Sequence, residues 1–167
     1  MPGERLTPAE RAELGSLAAL LDCDRVRLYR TGATRRAGLL RAMVLGLSRN
    51  RAVALGNHVF LPDHCCRDLP ILAHELTHCS QYQSWGPVAY FSRGVLNQFR
   101  DLLYRKLGIG SSPYRYSTEP GTPFHAYGME QQCQIVEDCF RGHPHARNIS
   151  PVQPGPSQHS DQVSPSA

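Results

Sequence analysis

Two histidines four residues apart, with a glutamate directly after the first, are the residues best suited to chemistry in this chain. They are His74, Glu75 and His78, in the sequence HELTH. On an α-helix, residues four apart lie one turn apart on the same face, so both imidazoles can bind one zinc ion. Glu75 can then accept a proton from the zinc-bound water and pass it to a leaving amine. The motif therefore predicts a zinc-dependent peptidase, with Glu75 as its general base.

A catalytic zinc ion needs a third protein ligand and an open fourth position. The glycine and third histidine that extend the motif in metzincins are absent, because Gln81 and Ser84 occupy those places. The third ligand must therefore come from a later segment. We predict Glu130, which lies near the start of a helix that can face the motif helix.

Other residues near Glu130 in the sequence have chemistry of their own. Glu119, His125 and Glu137 remain alternative third ligands. Glu137 shares a helix face with Glu130 and can instead hold a ligating histidine through its free ring N–H. The hydroxyl of Tyr127 is a candidate for stabilising the tetrahedral oxyanion of amide hydrolysis, although packing at a helix start is an equally good interpretation.

Capping signals place the HELTH motif in the middle of a helix. Asp68 is a suitable N-cap and Pro70 fits the first turn. Gly86-Pro87 ends this helix after about residue 84. The motif histidines then share a face with Gln81.

The wider pattern predicts an α+β fold, a mostly helical zincin-like domain with a small sheet packed beside the motif helix. Gly56-Asn57 is a turn signal that favours a hairpin. We expect its second strand to be an exposed edge beside the zinc, able to pair with an extended peptide. The predicted helices are 8–21, 39–47, 69–84, 88–107 and 127–141, and the predicted strands are 25–30, 52–55 and 58–61.

Composition predicts one domain with short tails. The chain has 167 residues and is 41% hydrophobic, which is enough for one core. Residues 1–6 are interpreted as an N-terminal tail and residues 7–141 as the domain. Residues 142–167 are rich in Pro, Ser and Gln and are predicted to be a disordered tail.

Charge and cysteine usage narrow the function classes. The net charge is +4, but the arginines are scattered and form no long basic run, so no nucleic-acid partner is expected. The cysteines form no CxxC pair, which argues against a zinc ribbon or a thioredoxin motif, and Cys79, Cys133 and Cys139 are interpreted as core positions.

The N-terminus lacks the apolar core of a secretion signal, and no segment is apolar enough to span a membrane. We therefore expect reduced thiols in the cytoplasm and no membrane partner, while export without a cleaved signal peptide stays open.

Two segments give the chain a family resemblance. They are ALGNHVFL at residues 54–61 and LAHELTH at residues 72–78, the latter followed by Gln81-Tyr82. In these segments the chain resembles a family of predicted bacterial zincin-like metallopeptidases, whose members occur alone or attached to proteins of contractile injection systems and polymorphic toxins. The resemblance covers about residues 25–140.

This resemblance implies a zincin fold, His74 and His78 as zinc ligands and Glu75 as the catalytic acid and base. The segment from Glu130 to Val136 is similar to the one that carries the third ligand in such chains. The sequence also echoes the aspartate-liganded zincins around residues 121–128, but Phe124 stands where their ligand aspartate would be.

Three hypotheses follow from the sequence. The first is a zinc peptidase that acts on a peptide or protein substrate. The second is a zinc-stabilised, catalytically inactive interaction module of a secretion or injection system. The third is a structural helical domain without a metal.

Overall fold

The computed structural model describes residues 3–30, 35–108, 115–117 and 121–156. Within these ranges a small sheet is accompanied by more helix than strand, so the predicted α+β class is confirmed. The helices are α1 (Pro8–Glu13), α2 (Arg35–Leu47), α3 (Leu69–Leu107), α4 (Met129–Phe140) and α5 (Pro144–Arg147), and the strands are β1 (Arg27–Tyr29), β2 (Val53–Leu55) and β3 (His58–Phe60).

The sheet has the order β1-β3-β2. β2 and β3 form the predicted antiparallel hairpin, while β1 pairs with β3 in parallel. Gly56 makes the turn with a φ of 65°, and a Cβ there would lie 3.2 Å from the ring of Tyr82. The prediction that the second hairpin strand is an exposed edge is wrong, because β3 lies between the other two strands. Among the described residues β2 pairs only with β3, so β2 is the edge.

The long helix α3 consists of two segments joined at Gly86. Asp68 caps its start by accepting a hydrogen bond from the backbone N–H of Ile71. Gly86 has non-helical angles (φ 76°, ψ 166°), Pro87 follows it, and the helix ends at Gly108 in the left-handed conformation. The predicted break before residue 88 is thus confirmed. No break occurs at Gly94.

The first segment of α3 is the centre of the core. Its buried residues Ala73, Leu76 and Cys79 contact a cluster that includes Val59 of the sheet and Val136 of α4. Burying one such leucine contributes about 2 kcal/mol. α3 packs chiefly on α4. The sides of the two helices that face each other therefore position the side chains of the site.

The folded part begins earlier than predicted. Glu4 and Leu28 exchange two backbone hydrogen bonds of 2.8 Å each, and Leu6 is buried. The predicted tail 1–6 therefore belongs to the domain from residue 3 onward.

The folded part also continues beyond the predicted end at Arg141. The helix α5 follows, Val152 is 1% exposed in the core, and the N–H of Gly155 donates to the last carbonyl of α1. A few anchoring contacts fix a stretch whose composition is that of a tail. The predicted disordered tail is corrected accordingly, and residues 157–167 lie outside the described residues.

No helix in the described part of the chain is both long enough and apolar enough to cross a membrane.

Candidate metal centre

The side chains of His74 and His78 lie on the face of α3 that is turned toward α4. Their ring centroids are 5.2 Å apart. The Nε2 atom of His74 lies 3.9 Å from Oε2 of Glu130, and the Nε2 atom of His78 lies 3.5 Å from the same oxygen. Helix α4 therefore brings the predicted third ligand to the point where the two imidazoles converge.

The opposite nitrogen of each ring has its own partner. Nδ1 of His74 is 2.9 Å from Oε2 of Glu137, and Nδ1 of His78 is 3.0 Å from Oε1 of Gln81. A carboxylate and an amide oxygen can only accept hydrogen bonds, so each Nδ1 carries the proton. Each Nε2 faces Glu130, so a neutral ring directs its lone pair there, which is the tautomer that metal ligation requires.

The orientation of the Gln81 amide is fixed by two further hydrogen bonds. Its Nε2 donates to the backbone oxygen of Met129 at 3.0 Å and to Oε1 of Gln132 at 3.1 Å. Both acceptors lie at the start of α4. Gln81 therefore links the ring of His78 to the turn that positions Glu130.

Glu137 is oriented by Arg141, which lies one turn later on α4. The guanidinium donates from Nε (3.1 Å) and Nη2 (2.8 Å) to Oε1 of Glu137, which leaves Oε2 for His74. Burial raises the pKa of Glu137, but the hydrogen bonds from His74 and Arg141 outweigh it and hold the pKa below the ordinary value. Glu137 is therefore ionised and accepts the hydrogen bond from Nδ1 of His74, the ring nitrogen that faces away from Glu130.

Glu75 is a buried acid with an unsatisfied oxygen. Its side chain is 5% exposed, and Oε2 has no hydrogen-bond partner among the described residues. Burial raises its pKa, and this outweighs the two neighbouring histidines, which lower it. An unpaired buried carboxylate oxygen costs about 1–3 kcal/mol or more, so this position fits a group that interacts with a ligand.

Charges around the converging nitrogens favour a cation. Burial raises the pKa of Glu130, but the hydrogen bond and charge of His78 outweigh it and keep the pKa low. Burial lowers the pKa of His78, but Cys133 and Glu130 outweigh it and hold the pKa well above the ordinary value. A positive charge at Nε2 of His78, either a proton or a metal ion, is thus stabilised by Glu130.

His74, His78 and Cys133 form a group close enough to bind a metal ion, with candidate ligand atoms within 4.8 Å of one another. The sulfur of Cys133 lies 3.3 Å from Nδ1 of His78 and 3.7 Å from Oε1 of Gln81. Its full burial raises the pKa of this thiol to about 11.

The sequence interpretation of Cys133 as a core residue is correct for burial but missed this contact. The spacing signalled only that Cys133 shares a helix face with Glu130 and Glu137, because it is three residues after the first and four before the second.

His74, Glu75, His78 and Glu130 open on a cleft of about 680 Å³, a size typical of ligand pockets. Its walls come from the end of α2, from β2 and from the second segment of α3. Tyr90 lies on this wall with its ring centroid 6.4 Å from that of His78, and its hydroxyl donates to the backbone oxygen of Ala54. Sequence reasoning did not single out Tyr90, since no local pattern relates it to the motif.

The structure does not bring the other predicted residues to this cleft. The hydroxyl of Tyr127 donates to the backbone oxygen of Ser117, and its ring is part of a separate cavity beside Arg93. Tyr127 lies before the first turn of α4, so its side chain does not share the helix face from which Glu130 reaches the histidines. His125 is exposed and borders the same separate cavity. Glu119 lies outside the described residues.

No protein family matches this chain, and neither the curated proteins nor the solved structures contain a significant match. The resemblance to zincin-like metallopeptidases therefore stays a prediction from the motifs.

Proposed function

We propose that this chain is a zinc-dependent peptidase in which His74, His78 and Glu130 hold the zinc ion and Glu75 is the general base. The observation that carries the proposal is the convergence of the Nε2 atoms of two histidines on one carboxylate oxygen. The unpaired Oε2 of Glu75, on the residue between the two histidines in sequence, supports it independently. Two nitrogens and one oxygen are a ligand set that catalytic zinc sites use.

Glu130 suits the third position better than Cys133 does. Glu130 lies on the Nε2 side of both rings, whereas Cys133 lies near Nδ1 of His78, a nitrogen that already donates to Gln81. Zinc binds a thiolate, and burial raises the pKa of the Cys133 thiol to about 11, so forming that thiolate costs free energy. The carboxylate of Glu130, by contrast, is ionised without any further cost.

When bound, a zinc ion would supply Lewis acidity, which polarises a carbonyl and acidifies a coordinated water. Glu75 would accept the proton at Oε2 and return it to the leaving amine. Burial raises the pKa of Glu75, which makes its carboxylate a stronger base. Glu137 and Gln81 would hold the two rings in the required tautomer.

The position of β2 suits a peptide substrate. This edge strand lines the cleft, and among the described residues no strand pairs with its outer side. The backbone oxygen of Ala54 accepts from Tyr90, and an extended chain would pair with the other backbone groups of that side. A polypeptide that pairs there would pass beside Glu75.

Two measurements on the purified full chain test this proposal. Metal analysis in chelator-free buffer should find about one equivalent of zinc, and an unfolded protein substrate should be cleaved. Glu75→Gln should keep the zinc and lose cleavage by at least about a hundredfold, since general-base catalysis contributes about 10²–10⁴-fold. Glu13→Gln, an acid-to-amide change at a half-buried position of α1 that does not line the cleft, is the matched control and should cleave like the wild type.

The ligand set is tested separately. Glu130→Ala should lose zinc, while Cys133→Ser should retain it. The reverse result would make Cys133 the ligand. Zinc without any cleavage would refute the peptidase and favour the inactive interaction module, and a chain without zinc would exclude both.

A further inference from the structure

The cleft contains one cationic side chain that the proposed chemistry does not use. We infer that Arg51 binds a carboxylate of the substrate and thereby selects peptides that carry one near the scissile bond. The inference rests on the proposed function, because it assigns the substrate class of the same cleft.

The composition of the cleft wall makes Arg51 distinctive. Among the described residues that line the cleft, it is the only arginine or lysine. Much of the wall beyond the metal-binding group is apolar, including Leu47, Leu55 and Phe91, which come from three different elements. A substrate with a negative group therefore has a single cationic partner on this wall.

The base of Arg51 is fixed to the backbone. Nε of its guanidinium donates to the backbone oxygen of Ser48, and the hydroxyl of Ser48 donates to the backbone oxygen of Arg51. The two residues between them, Arg49 and Asn50, both have left-handed backbone angles, with φ of 58° and 57°. Left-handed angles cost free energy for residues other than glycine, so they persist only where the surrounding structure holds the backbone in place. The turn therefore fixes the position from which the Arg51 side chain enters the cleft.

The terminal nitrogens of Arg51 form no salt bridge within the described residues, and the nearest effect of its charge is to help lower the pKa of Glu130 across the cleft. Some other arginines of this part of the chain do form a salt bridge: Arg11 with Asp24, Arg30 with Glu10, Arg41 with Asp63 and Arg141 with Glu137. Arg51 thus keeps its Nη1 and Nη2 donors for an external group. The two donors match the geometry of a carboxylate, which a guanidinium binds through two parallel hydrogen bonds.

A peptide can supply this carboxylate in two ways. One source is an aspartate or glutamate side chain, and the other is the free C-terminus. Both offer the same two oxygens to Arg51, so only the substrate series distinguishes them. An endopeptidase selecting acidic residues is expected in the first case, and an enzyme trimming chain ends in the second.

Binding to zinc-loaded Glu75→Gln protein tests the inference without requiring turnover. Labelled peptides are compared in pairs by fluorescence anisotropy, with glutamate replaced by glutamine at each position in turn, or with the C-terminal acid replaced by the amide. We expect the carboxylate member of one pair to bind about fivefold tighter, the upper end for a partly exposed ion pair.

Variants identify the group responsible for that preference. Adding Arg51→Met should abolish the difference within the pair, and Arg51→Lys should restore part of it, because the charge returns without the paired donors. Arg25→Met removes the same charge from an exposed position that does not line the cleft, and should leave the preference intact.

The outcomes separate this inference from the proposed function. Equal binding within every pair, or no binding by any peptide, overturns the inference, as does a preference that survives Arg51→Met. A glutamate-dependent preference assigns side-chain carboxylates, and an acid-over-amide preference assigns the C-terminus. Absence of wild-type cleavage refutes the peptidase by itself and leaves the binding comparison interpretable. If no zinc binds, the peptidase is refuted as well, and the same peptide pairs are compared on the metal-free protein with the same criteria.

Discussion

Replacing Glu137 by glutamine should weaken zinc binding about tenfold without removing a proposed ligand. In the wild type, the ionised carboxylate accepts the Nδ1–H of His74 at 2.9 Å and is itself held by Arg141. Glutamine has the same shape and can still accept this hydrogen bond, but it lacks the negative charge that makes the imidazole a stronger ligand. Partners of this kind contribute about 10–100-fold in metal affinity, or about 1.4–2.7 kcal/mol. The lower value applies because the hydrogen bond survives.

The assay is competition with a chromophoric zinc chelator at constant pH, which yields the zinc dissociation constant of each protein. Asp138→Asn is the matched control, because Asp138 is the next residue on α4 but bonds to Tyr116 and Gln134 instead of a ring of the site. Its dissociation constant should equal that of the wild type. A Glu137→Gln protein that binds zinc within twofold of the wild type would refute the argument, and so would an equal loss in Asp138→Asn.

Two further predictions concern pH and packing. Zinc binds only neutral imidazole, and the pKa of His78 lies well above the ordinary 6.5, so the affinity should begin to fall at a higher pH than for an unperturbed histidine; chelator competition across a pH series checks this. Gly155→Ala should destabilise the fold by about 1–3 kcal/mol in urea, since its Cβ would lie 1.8 Å from the backbone oxygen of Ala12. At Gly94, within α3, an added Cβ would meet no atom within 4 Å. Gly94→Ala should therefore stabilise the fold by about 0.5–1 kcal/mol. Urea midpoints equal to that of the wild type would contradict both predictions.

Local signals in the sequence were sufficient for much of the fold. Asp68 and Gly86-Pro87 set the bounds of the motif helix, and Gly56 set the hairpin turn, because capping and backbone conformation depend on neighbouring residues. The order of the strands was not predictable in this way. It depends on the parallel pairing of β1 with β3, a contact between residues about thirty positions apart.

The site was predictable where helix spacing alone determines which residues are neighbours. His74 and His78 share a face of α3 for this reason. Glu130 was predicted as the third ligand because a later helix had to face the two histidines to supply one. Which side of each ring a residue approaches depends on how two helices pack, so the contact of Cys133 with Nδ1 could not be predicted. The position of Tyr127 likewise follows from the entry of the chain into α4.

The non-helical backbone at Gly86 makes the width of the cleft an adjustable property of the protein. The two histidines of the candidate metal centre precede this residue and the wall residue Phe91 follows it, so one helix supplies both sides of the cleft through a single joint. At 1.5 Å per residue, Phe91 lies about 7 Å beyond the joint and Leu107 about 30 Å. A rotation of about 10° would move them by about 1 Å and 5 Å, respectively. Evolution or design can therefore change which side chains the cleft accepts by altering one hinge, while every proposed zinc ligand stays in place.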